Sequence, residues 1–213
     1  MPALLSPWLI LLAVALWGGV HSLLASQRAK DLAAHWLGSL AGRGYRLEYN
    51  LFSAFSFLPV LALALFLPDR RLYSIPFPWV LLTAAIQAVA VLVILAGLRQ
   101  TGLLAFLGLR QMLGSQIESQ SPIIVHGLYR WVRHPLYTAG LVFIWLLPVK
   151  TLNVLVLNFG LSAYLVIGAL FEERRLVREF GEAYLRYRAQ TPMLIPGLQG
   201  KVKRASENGG KPN

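Results

Sequence analysis

Two short stretches of the chain concentrate the residue types that can do chemistry. Residues 127–140 read GLYRWVRHPLYTAG, and residues 172–187 read EERRLVREFGEAYLRY. The first sets Arg133, His134 and Tyr137 around Pro135, and proline suits the opening turn of a helix, where its missing N–H has no partner to lose. The second sets Glu172 and Glu173 beside Arg174 and Arg175. Carboxylates hold an ammonium group and favour a nearby sulfonium. An arginine grips a carboxylate through paired N–H bonds. Trp131 and the tyrosines offer faces to a purine or to a cationic methyl centre. Together these groups would suit an amphoteric, purine-bearing ligand. Taken alone, residues 172–175 also fit the solvated end of a helix.

Apolar segments must position these groups. The chain has 213 residues, 56% of them hydrophobic and only 14% charged, where a soluble domain carries about 25% charge. Five apolar stretches stand out: Trp8 to Ala25, Leu51 to Leu67, Trp79 to Leu98, Leu136 to Val149 and Leu152 to Leu170. A crossing helix needs about 20 residues to span a core of roughly 30 Å. The fourth stretch is short and becomes long enough only if its helix begins near Trp131. It then turns through residues 148–151 into the fifth, and this tight hairpin brings Arg133, His134 and Tyr137 to the same end as Glu172 and Glu173. Residues 172–190 read as an amphipathic helix continuing from the fifth span, with Leu176, Val177, Phe180, Tyr184 and Tyr187 on one face. The expected fold is therefore all-α: a polytopic membrane protein with five transmembrane helices, a C-terminal helical hairpin and an amphipathic cytoplasmic helix.

Charge sets the orientation. Seventeen Lys and Arg residues follow the first, third and fifth stretches, against Arg70, Arg71 and Lys150 on the other side. The positive-inside rule then puts the N-terminus outside and the C-terminus in the cytoplasm. The first stretch has no basic residue before it and does not read as a cleaved signal peptide. The formal net charge of +11 flanks apolar runs, which points to anionic membrane lipid and not to nucleic acid. The chain has no cysteine, which excludes disulfides, cysteine nucleophiles and cysteine-ligated metal. One membrane domain is expected over residues 1–200, with its catalytic part at about 121–196, and a disordered basic tail over 201–213.

Arg133-His134-Pro135-Leu136-Tyr137 with Gly140, followed by Glu172-Glu173 and by Phe180-Gly181-x-x-Tyr184-x-x-Tyr187, resembles the isoprenylcysteine carboxyl methyltransferase and phospholipid methyltransferase superfamily. The resemblance implies an S-adenosylmethionine pocket at the cytoplasmic face. It sets Tyr129, His134, Pro135, Tyr137 and Glu173 on the cofactor, with Ile123 and Ile124 meeting it through their backbones. Arg133 and Glu172 join them as neighbours in the two motifs. Trp17-x-x-x-His21-Ser22 and Gly108-Leu109-Arg110-Gln111 are similar to the NnrU-like branch, which includes methanethiol S-methyltransferases. Gln111 would then face the substrate.

His21 admits three roles: interhelical bonding, a substrate-site role in which it accepts a thiol proton, or haem ligation. Carboxyl methyltransferases carry an arginine about one turn before the equivalent of Glu173, and here that position is Ala169. The resemblance thus implies a membrane methyltransferase for a small thiol or a lipophilic acceptor. A non-enzymatic accessory membrane protein, or a membrane haem or quinone protein, are the alternatives.

Overall fold

The computed structural model describes residues 5–109 and 123–198. Gln111 and the tail 201–213 lie outside them. The helices are α1 (Ser6–Ala25), α2 (Gln27–Phe66), α3 (Trp79–Thr101), α4 (Leu103–Leu107), α5 (Pro135–Trp145), α6 (Leu152–Phe180) and α7 (Glu182–Gln190), with a 3₁₀ turn at Gly127–Arg130. Two short strands, β1 (Arg71–Ser74) and β2 (Val149–Thr151), pair antiparallel with Tyr73 opposite Lys150.

Four segments are long and apolar enough to cross a bilayer: Ser6–Ala25, Gly44–Phe66, Trp79–Thr101 and Leu152–Phe180. Their outer faces leave Leu12, Leu16, Leu65, Leu82, Leu92 and Ile167 exposed. Helices apolar all round, and unburied by protein, are solvated by lipid. The chain is a multi-pass membrane protein.

Helix α1 lies antiparallel to α2 and parallel to α6. Trp17 Nε1 donates to Ser53 O at 3.3 Å and to Ser56 Oγ at 3.2 Å, while Gly160 abuts Val14 and Gly18 abuts the Tyr164 ring. Ile10, Val14, Val60, Ala64 and Leu157 form the core of this three-helix unit. Lipid tails are as apolar as leucine, so close packing and hydrogen bonds hold such helices together. Gly18 serves that end, because a Cβ there would lie 2.8 Å from Tyr164 Cδ2.

Helix α2 starts far earlier than the expected span, at Gln27, where Ser26 Oγ accepts the Ala29 N–H at 3.3 Å. The helix cannot be straight. The Tyr45 hydroxyl donates to Leu24 O at 2.7 Å, whereas eighteen straight helical residues would set residues 27 and 45 about 27 Å apart.

The fourth expected span is a helix of only 11 residues, α5, which rises about 16 Å and does not cross a bilayer by itself. It does not begin near Trp131, because Pro135 disfavours helical geometry in the residue before it and His134 sits at φ −125° and ψ 66°; the Arg133 and His134 N–H groups donate outward to Pro192 O at 2.9 Å and Met193 O at 3.1 Å. It ends early because Pro148 disfavours helical geometry in the residue before it. Carbonyls at its C-terminal end then need donors from outside the helix. Gln87 Nε2 supplies one to Phe143 O at 3.0 Å, and Asn158 Nδ2 and Lys150 Nζ reach Ile144 O at 2.7 and 3.2 Å. The expected hairpin turn at 148–151 is the β2 strand, held against β1.

The helix expected over 172–190 is broken. Gly181, at φ +55°, ends α6 and opens α7.

Candidate functional site

Where α6 meets the start of α5, the two chemistry-bearing stretches come together. Pro135 opens α5 and His134 caps it. That fixes Tyr137 on the first turn, stacked on His134 with ring centroids 5.2 Å apart and planes 8° apart. The Tyr137 hydroxyl donates to Glu172 Oε2 at 3.0 Å. His134 Nδ1 lies 3.7 Å from that same oxygen, and its Nε2 lies 3.4 Å from Glu173 Oε1. His134 is 7% exposed, with its Nε2 turned to Glu173.

The two adjacent carboxylates have different surroundings. Glu173 is 4% exposed. Its Oε1 takes both Nε and Nη2 of Arg133 at 2.6 Å, and Arg188 Nε stands 3.8 Å from its Oε2. Arg133 Nη1 donates to the carbonyls of Arg188, at 3.0 Å, and of Thr191. A guanidinium has five donors, so Arg133 keeps only one for any ligand. It does not take a ligand carboxylate bidentately, as its type first suggests. The Glu172 side chain is 38% exposed and faces a cavity.

That cavity has a volume of about 190 Å³ and opens beside α6 and α7. Ile123, Ile124, Tyr129, Arg133, His134 and Glu172 line it. Thr101, Leu176, Phe180, Tyr184 and Tyr187 complete the wall. Thr101, at the end of α3, carries no motif that marks it. Leu176, Phe180, Tyr184 and Tyr187 were visible only as one apolar face, and the break at Gly181 is what folds that face around a cavity. Trp131, expected to offer a ring, is 64% exposed and lies under Arg130 outside the wall. Pro135 is buried and acts through the helix it opens.

Burial keeps the tyrosines of the wall neutral. It pushes the Tyr187 phenol up to about 12, and the hydroxyl donates to Tyr129 O at 2.6 Å. Burial also raises Tyr184 and, with the charge of Glu172 adding to it, Tyr129. The cavity thus has aromatic sides and one half-exposed carboxylate. Beside that carboxylate stands the buried His134 ring, its Nδ1 3.7 Å from Glu172 Oε2.

His21 stands apart from this wall. Its Nε2 lies 2.6 Å from the Tyr49 hydroxyl, and its Nδ1 bonds the Tyr164 hydroxyl. This cluster ties α1, α2 and α6 together. Among the described residues no group of His, Asp or Glu could hold a metal ion.

Comparison with known proteins bears on this arrangement. Residues 107 in number align at 40% identity with methanethiol S-methyltransferase 2 of Bradyrhizobium diazoefficiens, covering 49% of this chain and 37% of that protein. The methanethiol S-methyltransferase of Mycobacterium tuberculosis is 39% identical over 71 residues, 33% of this chain and 29% of its own length. A protein-S-isoprenylcysteine O-methyltransferase of Tribolium castaneum is 29% identical over 111 residues, 48% of this chain and 38% of its own. The aligned part is thus little more than a third of these curated relatives at most. No solved structure matches the chain. Residues 9–201 match the NnrU protein family over nearly the whole chain, and the protein belongs to that family.

Proposed function

We propose that this protein is an integral-membrane methyltransferase that takes its methyl group from S-adenosylmethionine and gives it to a small thiol or another neutral lipophile. The single observation that carries the reading is the cavity that joins the half-exposed Glu172 carboxylate to the rings of Tyr129, Phe180, Tyr184 and Tyr187. The aromatic wall suits a purine, the Glu172 carboxylate suits an ammonium, and the Ile123–Ile124 backbone borders the same space. These residues suit the purine and the ammonium of the cofactor.

When bound, S-adenosylmethionine supplies an electrophilic methyl group. The chain's own part is to bind, orient and exclude water. Tyr137 fixes the Glu172 carboxylate, Arg133 and Glu173 hold α5, α6 and α7 in register, and the aromatic wall keeps the site dry. Catalysis would be mainly alignment. Relatives named as methanethiol S-methyltransferases favour the thiol over a lipid acceptor. So does Ala169, fully buried where a carboxylate-binding arginine would stand.

In this reading the chain crosses the bilayer five times. The 11 residues of α5 and the chain up to β2 together make the fourth crossing. The N-terminus is then outside and the C-terminus cytoplasmic, an assignment supported by the parallel run of α1 and α6 and by the basic residues near Glu173.

Calorimetric titration of S-adenosylhomocysteine into detergent-purified protein tests the cofactor. Saturable one-to-one binding is expected. No binding by a folded, monodisperse sample would remove the reading.

A further inference from the structure

Helix α2 carries Pro59 inside the span Gly44–Phe66, about 10 Å before the end of that span. Proline has no N–H, so the Phe55 carbonyl, one turn earlier, loses its intrahelical donor. Lipid tails offer none in exchange, and a polar group left unpaired in the bilayer is costly. A helical carbonyl points at the residue four positions later, which sets the Phe55 oxygen against the Pro59 ring. Protein does not cover that ring. It lines a groove of about 300 Å³ between α1 and α2, a volume at the lower end of ligand-sized cavities.

Phe52, Ser56, Pro59 and Leu63 recur at three- and four-residue steps and form the α2 wall, with Leu16 and Val20 opposite on α1. Among the described residues that line the groove, only Trp17 and Ser56 have polar side chains, and both already donate within the protein. Trp17 Nε1 donates to Ser53 O at 3.3 Å and to Ser56 Oγ at 3.2 Å, and the Ser56 hydroxyl donates to Ser53 O at 3.4 Å. The groove therefore presents acceptors and no free proton. Its lining holds no Lys, Arg or His, so a phosphate or carboxylate finds no counter-ion there. A ketone, which can only accept, finds no donor. What complements such a groove is a hydrocarbon bearing one neutral O–H.

We propose that the groove at Pro59 is an intramembrane binding site for a lipophilic alcohol. The ligand's hydroxyl donates to the Phe55 carbonyl, and its hydrocarbon fills the space between Leu16, Val20, Phe52 and Leu63. Proline makes the site, because any other residue at position 59 would spend that acceptor inside the helix. The groove shares no residue with the Glu172 cavity, and it stands whether or not the chain transfers methyl groups.

The test uses the full chain in phosphatidylcholine vesicles and a diazirine-bearing decanol, with labelled peptides located by mass spectrometry. Wild type is labelled saturably on the α1 and α2 residues of the groove. Unlabelled 1-decanol competes at about a tenfold lower mole fraction in the bilayer than decane or 2-decanone, the scale of one hydrogen bond. Pro59→Ala restores the backbone donor to Phe55 and loses that tenfold preference for the alcohol. Val20→Trp, at an exposed position on the groove wall, fills the space and abolishes labelling. Circular dichroism and size exclusion check folding, and Pro59→Ala decides alone if Val20→Trp does not fold. Equal competition by decane would show ordinary contact with lipid tails and overturn the proposal. So would a wild-type alcohol preference in Pro59→Ala, or the absence of saturable labelling in wild type.

Discussion

Arg133 and Glu173 form a buried, two-pronged contact, with Nε and Nη2 of the arginine each 2.6 Å from one carboxylate oxygen. The same guanidinium bonds the carbonyls of Arg188 and Thr191. One side chain therefore joins the start of α5 to α6, to the end of α7 and to the segment that follows.

Removing one partner of a buried ion pair leaves a charge without compensation and costs about 3–5 kcal/mol. Arg133→Ala should lower the thermal midpoint sharply in detergent, followed by helical circular dichroism. Glu173→Gln keeps one acceptor oxygen for Arg133 and should cost less. An Arg133→Ala protein that melts with wild type would show that this contact does not hold the three elements together.

Glu172 should behave in the opposite way. Its carboxylate is half exposed to the cavity and tied only to Tyr137 by a close bond. Glu172→Gln should leave the melting curve nearly unchanged. It should weaken S-adenosylhomocysteine by about ten- to a hundredfold, or 1.5–3 kcal/mol for a charge-assisted bond. Equal affinity in Glu172→Gln and wild type would move the ammonium site elsewhere.

The division of labour between Glu172 and Glu173 was not legible in the sequence. Adjacent helical residues point about 100° apart, and nothing in the string says which faces the cavity. His134, Pro135 and Tyr137 were legible, because a proline at a helix start fixes its neighbours. The shortness of the fourth stretch and Pro148 were visible, but the pairing of Val149–Thr151 with Arg71–Ser74 was hidden, because three residues carry no alternation to read. Residues 191–194 carry no motif, yet their carbonyls take the Arg133 and His134 N–H groups and the Thr138 hydroxyl, the last at 2.7 Å. Backbone acceptors leave no trace in residue type.

Gly18 and Gly19 make a matched pair. Alanine improves a helix over glycine by about 1 kcal/mol, which sets the expectation at Gly19, where a Cβ meets nothing. At Gly18 the Cβ would lie 2.8 Å from the Tyr164 ring, and overpacking of this kind costs about 1–3 kcal/mol. Gly19→Ala should melt at or above wild type, and Gly18→Ala below it. The reverse order would show that α1 and α6 are not packed as described.

The same pair of helices bears on sidedness. Parallel α1 and α6 start on one side, so the N-terminus and Lys150 share it. Reporter fusions after residue 30 and at the C-terminus should read cytoplasmic, and fusions near Arg70 and Lys150 external. A cytoplasmic Lys150 would remove the five-crossing arrangement.

The acceptor's charge is the last expectation. A farnesyl-cysteine substrate presents an ionised carboxylate, and burying one without a cation is strongly unfavourable. Between Leu152 and Phe171 the sixth helix carries no Lys or Arg, and Ala169 leaves no surface on which to place one. Arg133 cannot substitute, because Glu173 and two carbonyls already hold it. Purified protein in vesicles, given labelled S-adenosylmethionine, should convert propanethiol to a volatile labelled thioether. It should form no base-labile methyl ester on farnesyl-cysteine. Ala169→Arg should not gain that ester activity, because a long side chain at a position with no exposed surface must displace its neighbours before it can meet any substrate. Robust ester formation by wild type would show that a cation reaches the acceptor from a residue outside α6.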